Sequence, residues 1–275
     1  MISRWASGGL SGSANVFKTL HAGLTVDLIT TPVADLQTCQ HHELISDVIE
    51  RNPEAFDFLP VIDGTRIVGM FNVAEYRDRR TLDTVWRRYS PLSEEYLIGA
   101  DASILDFVLD ADQRRCRLVI SGPKIIGLVS LSDLQKLPVR AALFALVTGF
   151  EITMAELIRR LLPTDRDWLD LLADSRQKKI EDEKSRAKKE DVYVDSLLFT
   201  QFCDKRDILK QNIREDDQQS FNESLIRIER LRNSIAHAND YASSPFEAEK
   251  VWEIVRELLR WMDQLERPDV SKSGN

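Results

Sequence analysis

The segment RIERLRNSIAHAND, residues 227–240, brings Arg232, Asn233 and His237 together in a chain with only 4 histidines. Histidine, with an ordinary pKa of about 6.5, exchanges protons near neutral pH, and the planar arginine fork fits phosphate oxygens. The two could therefore do acid–base and charge-stabilising chemistry at a phosphodiester, with Asn233 orienting the imidazole or touching phosphate. On a helix turning about 100° per residue, Asn233 and His237 share a face, with Glu229 one turn earlier. Arg232 lies about 140° from His237, so one helix alone makes no tight Arg–His pair. The plainer alternative is that Arg232 pairs with a carboxylate on a neighbouring helix and His237 suits a helix C-terminus.

A second group sits in RCRLVISGPKIIGLVSLSDL, residues 115–134. Asp133 at a helix start could accept both hydrogen bonds of a ribose diol, and Ser130 and Ser132 beside it favour a phosphate. The same serine and aspartate are also preferred helix caps, so both uses stand open. An earlier segment, GMFNVAEY, offers Asn72 and Glu75 at the corresponding places.

These groups need elements to hold them. FLPVID (58–63) and RIVGMF (66–71) are short apolar runs split by Gly64-Thr65, a strand–turn–strand pattern. RLVIS (117–121) and PKIIGLVSLS (123–132), split at Gly122-Pro123, repeat it about sixty residues later. A helical stretch precedes each pair, so a unit of helix, strand, strand, helix occurs twice. From Leu137 the strand pattern stops. The spacing predicts helices over 138–162, 166–190, 195–211, 220–238 and 245–266, joined by short links into a bundle. The second begins apolar and ends charged, and its basic residues Lys178, Lys179, Lys188 and Lys189 read most simply as a solvated face that could also guide RNA.

The repeated unit resembles a CBS pair over roughly residues 24–137, with the closing signature at Gly127, Ser130 and Asp133, and is similar in particular to adenine-nucleotide-sensing pairs. That resemblance implies AMP, ADP or ATP as a regulatory ligand, with Ser130 and Ser132 near phosphate, Asp133 at the ribose and Arg117 adding positive charge. In the first copy Glu75 stands where the pattern has Asp and Asn72 where it has Ser or Thr, which implies one competent site at 130–133 and a divergent one. The bundle resembles a HEPN domain through RNSIAH, the Arg–polar–three residues–His motif, late in its penultimate long helix. HEPN resemblance implies a homodimer with one composite site, and RNA cleavage without metal by attack of the 2′-hydroxyl. DNA, lacking that hydroxyl, would not be cut.

The totals are those of an ordinary globular chain: 275 residues, 43% hydrophobic, 30% charged. A formal charge of −8 argues against non-specific coating of nucleic acid, though a local basic cleft stays compatible with it. Cys39, Cys116 and Cys203 form no CxxC pair, and His41 and His42 beside Cys39 lack zinc spacing, so no metal site and a reducing cytoplasm are expected. No run of eighteen apolar residues suggests a membrane span, and the opening residues suggest no signal peptide. No phosphate-binding loop of the Walker type is present. The expectation is an α+β chain: a mobile tail and short helix over 1–23, a CBS pair of two β-α-β-β-α-like repeats over 24–137, a five-helix HEPN-like bundle over 138–266 and a disordered tail over 267–275. Its function would be a nucleotide-regulated endoribonuclease with a toxin or defence role; the alternative is a non-catalytic regulator whose bundle docks or dimerises.

Overall fold

The computed structural model describes residues 22–79, 81–190 and 195–267. The tail and short helix expected over 1–23 and the tail expected over 267–275 lie, save for Ala22, Gly23 and Arg267, outside them. The chain is α+β and divides into two compact units, one of Leu24–Val139 and one holding the chain from Arg140 onward.

In the first unit the strands are β1 (Thr31–Pro32), β2 (Cys39–Gln40), β3 (Phe58–Asp63), β4 (Arg66–Asn72), β5 (Ser90–Pro91), β6 (Leu97–Gly99), β7 (Cys116–Ser121) and β8 (Lys124–Ser130). Helix α1 (Ile45–Glu50) precedes β3, and α2 (Ile104–Asp110) precedes β7. They form two four-stranded sheets, ordered β2-β3-β4-β5 and β1-β8-β7-β6. Each has one parallel pair, β2–β3 or β6–β7, followed by an antiparallel hairpin. The bulge falls between Val61 and Ile62 in one copy and between Val119 and Ile120 in the other. The hairpin turns place Gly64 at φ 60° and Gly122 at φ 55°, where a residue with a Cβ is strained.

The edge strands are exchanged. β1 precedes the first repeat but pairs with β8 of the second, while β5 precedes the second repeat but pairs with β4 of the first. The bridges Thr25–Ser103 and Leu44–Thr84 extend the same exchange. Pairing brings backbone so close that a Cβ built on Gly69 would lie 2.2 Å from the Ser90 carbonyl oxygen, and one on Gly127 2.2 Å from that of Thr31. Neither repeat completes its sheet alone. Alternation along the strands gives each face its core: Leu59, Val61 and Phe71 pack with Ile45 and Val48 of α1, whereas Met70 packs with Cys116, Leu118 and Leu128 of the other sheet. The closing helix expected in each repeat is only a 3₁₀ turn, Ala74–Tyr76 or Leu131–Gln135, and β8 stops at Ser130 rather than 132.

The later elements are α3 (Leu137–Leu161), α4 (Asp165–Leu169), α5 (Asp174–Lys189), α6 (Phe202–Asn212), α7 (Gln218–Ala236) and α8 (Pro245–Glu266). α3 is long and apolar enough to cross a membrane by length and composition, with half of its apolar window buried. Its buried Val139, Leu143, Leu146, Phe150, Met154 and Ile158 fall at three- and four-residue spacing, the stripe of a helix packed in a core. Two expected helices are interrupted. That over 166–190 divides into α4 and α5, which lets both Trp168 and Leu172 turn inward; the Thr164–Asp167 capping box starts α4. That over 195–211 opens as a 3₁₀ turn, Ser196–Phe199, capped by Asp195, before a Gln201–Asp204 box begins α6. Ser244 caps α8, with Pro245 in its first turn.

Gly127→Ala and Gly69→Ala should each destabilise the first unit by about 1–3 kcal/mol, the range for forced overpacking. Chemical denaturation is the measurement, and Gly23→Ala, whose added methyl meets nothing within 4 Å, is the neutral control.

Candidate functional site

α7 packs against α6 and α8, burying Phe221, Leu225, Ile228, Leu231 and Ile235 as its inward stripe. The polar face therefore carries Asn233 and His237 outward at its C-terminal end, while Arg232 flanks the buried stripe. Asn233 and His237 are exposed and Arg232 is half-buried. His237 is the C-cap, with φ −95° and ψ 12°, its N–H donating to the Asn233 carbonyl. Arg232 Nη1 donates to Asn233 Oδ1 at 3.3 Å. Glu229 turns to Arg206 at 2.9 Å, so it is withdrawn from the His237 stripe.

Two residues of α3 touch this region, and neither was singled out from the sequence. Arg232 Nε lies 3.9 Å from Glu151 Oε2, while Glu151 Oε1 accepts at 2.9 Å from the buried Lys205, which also donates to the Thr200 carbonyl. Glu151 was visible as a lone carboxylate in the apolar run FALVTGFEITMA. The second residue, Arg140, donates from Nη1 to the carbonyls of Ser234 and Ile235 and from Nη2 to that of Asn239, and its guanidinium stands 4.9 Å from the Tyr241 ring centre. Burial pushes the Tyr241 hydroxyl up to about 12, against an opposing pull from Arg140.

In the first unit, Ser130 and Ser132 stand with hydroxyls 2.8 Å apart at the end of β8. Asp133 is buried beneath them. Its Oδ2 accepts the Ser130 N–H at 2.6 Å, and its Oδ1 pairs with Lys136 at 2.7 Å. Lys136 also donates to the Ile29 carbonyl at 2.6 Å, tying this turn to the segment leading into β1. The carboxylate is thus engaged as a cap. Arg117 is not brought to the serines: Cys116 faces Ser130 in the β7–β8 register and Arg117 faces Val129, on the other side of the hairpin. There Arg117 pairs with Asp110 of α2, and burial pulls its guanidinium below the ordinary value. The cation at the serine turn is Lys136. Its position three residues after Asp133 was the available sequence signal.

The first copy solves the same turn differently. Asn72 Nδ2 donates to Glu75 Oε1 at 2.7 Å, and Asn72 Oδ1 is buried without a partner. The longer glutamate reaches the side chain of the strand-end residue, whereas Asp133 reaches its backbone. His41 meets Tyr89 edge-on, with ring centres 5.1 Å apart. Among the described residues no group of three His, Cys, Asp or Glu could hold a metal ion.

No family model and no curated protein sequence matches this chain. Solved CBS domains do. The ATP complex of the CBS domain from a bacterial CNNM/CorC family Mg²⁺ transporter is 17% identical, with a TM-score of 0.37, covering 48% of this chain and 95% of that one. A signal-transduction protein with CBS domains from Burkholderia ambifaria is 25% identical, with a TM-score of 0.35, over 41% of this chain and 91% of that one. The CBS domains of a transcriptional regulator from Streptococcus pneumoniae reach a TM-score of 0.34 at 17% identity.

Tyr241 predicts an alkaline limb of stability. Its folded pKa lies above the unfolded value of about 10, so its contribution is complete below pH 10 and is lost as pH rises toward 12. The urea midpoint of the wild type should fall through that window more steeply than that of Tyr241→Phe.

Proposed function

We propose that the chain is a nucleotide-regulated, metal-independent endoribonuclease of the cytoplasm, in which a CBS-type pair senses an adenine nucleotide and a homodimer of HEPN-like bundles cuts RNA. The observation that carries the catalytic half is that the half-buried Arg232 and the exposed Asn233 and His237 stand together at the C-terminal end of α7. In the reaction His237 takes the proton of the RNA 2′-hydroxyl, whose oxygen bonds to the adjacent phosphorus. The bond from phosphorus to the 5′-oxygen breaks, and His237 of the partner subunit protonates that leaving oxygen. The products are a 2′,3′-cyclic phosphate and a 5′-hydroxyl. Arg232 stabilises the charge on the phosphorane, and Asn233 orients the imidazole.

The nucleotide half rests on the serine turn. Ser130 and Ser132 offer two hydroxyls, and Lys136 a half-exposed ammonium, to a phosphate, while Asp133 is the ribose acceptor if the ligand displaces one of its present donors. One observation favours the second reading, a non-catalytic regulator with a docking bundle: Arg232 already has the Glu151 carboxylate beside it.

Cleavage of a labelled RNA pool in EDTA decides between them. Wild type should leave cyclic-phosphate ends, and His237→Ala should lose about 10²–10⁴-fold in rate, the worth of a general acid–base. No cleavage by the wild type, with or without AMP and ATP, makes the bundle a docking module. For the sensor, Ser130→Ala and Lys136→Ala should each weaken AMP or ATP binding by about tenfold or more in a calorimetric titration. Asn72→Ala and Glu75→Ala should leave it unchanged; the reverse pattern would move the ligand to the first copy.

A further inference from the structure

The end of α7 has a closed form that depends on a residue from far earlier in the chain. Ala238 N–H donates to Ile235 O and Asn239 N–H to Ser234 O, the paired bonds that turn a helix end back on itself. Such a closure requires a left-handed residue after the cap, a place glycine usually takes; here it is Ala238, at φ 55°. His237 lies between the two halves of this closure. The Arg140 fork grips carbonyls on both sides of His237, those of Ser234 and Ile235 before it and that of Asn239 after it. It is braced by the Tyr241 ring.

We propose that Arg140 is the positioning residue for His237: it sets the backbone from which the imidazole is presented and is the route by which nucleotide binding alters that presentation. This deepens the nuclease and sensor reading above and rests on it. Lysine cannot replace it, because a point cation has no fork to span three carbonyls and no plane to stack on a ring. Arg140 lies in the first turn of α3, and the Ser130–Lys136 turn runs directly into that helix. A ligand that binds two arrangements of this turn with different affinity therefore has a short chain connection to Arg140, through the extended residue Lys136 and the first turn of α3.

Hydrogen exchange by mass spectrometry on the full chain tests this without assuming catalysis. In Arg140→Gln and Arg140→Lys alike, amides of residues 237–241 should exchange about tenfold or more faster, the ratio one charge-assisted hydrogen bond represents. Those of 251–262 in α8 should be unchanged. Unaltered exchange at 237–241, or an equal rise through α8, overturns the positioning role. AMP or ATP should change exchange at 237–241 in the wild type and not in Arg140→Gln; no change in the wild type overturns the regulatory route. In RNA cleavage Arg140→Ala should lower kcat while KM stays within about threefold, the pattern of an interaction used only in the transition state, and added guanidinium should restore part of kcat. An equal loss in a kcat that guanidinium cannot restore counts against positioning. A wild type that never cuts RNA sinks the nuclease reading, whereas the exchange comparison still decides Arg140.

Discussion

The first unit depends on two close backbone approaches. At Gly69 and Gly127 an edge strand of two residues lies so near that no side chain fits, and that strand comes from the segment ahead of the other repeat. A two-residue strand contributes little pairing by itself, so its hold comes from the repeat that follows it in the chain. The exchange makes the two repeats one cooperative body and fixes where each hairpin ends. Ser130 and Asn72, the strand-end residues, follow from it. Lys136 joins the same constraint, since its ammonium reaches the carbonyl of Ile29 just before β1.

The repeat was legible because its punctuation is chemical. Glycines in left-handed turns and glycines under an edge strand recur at one constant offset, as do Asn72 with Ser130 and Glu75 with Asp133. The exchanged strands were not legible. Thr31–Pro32 and Ser90–Pro91 are too short to show alternation, and each contains a proline that reads as a loop. The same limit misplaced Arg117: an arginine two residues into a strand has a type and a spacing, but which face it takes depends on a register set across the sheet. The breaks at 170–173 and 200–201 were hidden for a different reason. Apolar spacing continues through both, and only the Gln201–Asp204 box and the buried Leu172 show that the chain restarts.

Between the two copies, one methylene separates two chemistries. Asp133 is short enough to accept the strand-end N–H and leave its other oxygen for a lysine. Glu75 overshoots the backbone and takes the Asn72 amide, leaving Asn72 Oδ1 buried and unpartnered. A buried acceptor without a donor is costly, so the first turn is the less satisfied of the two. The second turn has two hydroxyls and a cation on one small surface, where the first has Asn72, Ala74 and Asp78 at the corresponding positions.

The Arg232 environment can be weighed in the same terms. Lys205 is buried, and a buried ammonium without a carboxylate is strongly destabilising, so Glu151 is held first by Lys205 at 2.9 Å. Its second oxygen meets Arg232 at 3.9 Å, on a side chain that is 39% exposed. At that distance and exposure an ion pair contributes about 0–1 kcal/mol. Arg232 can therefore turn from Glu151 to a phosphate without stranding any buried charge, because the carboxylate keeps its lysine. An arginine held directly by an otherwise unpaired buried acid would lack that freedom. The acid that looks like a competitor for Arg232 serves chiefly as the counterion of Lys205, and it leaves the guanidinium poised at low cost.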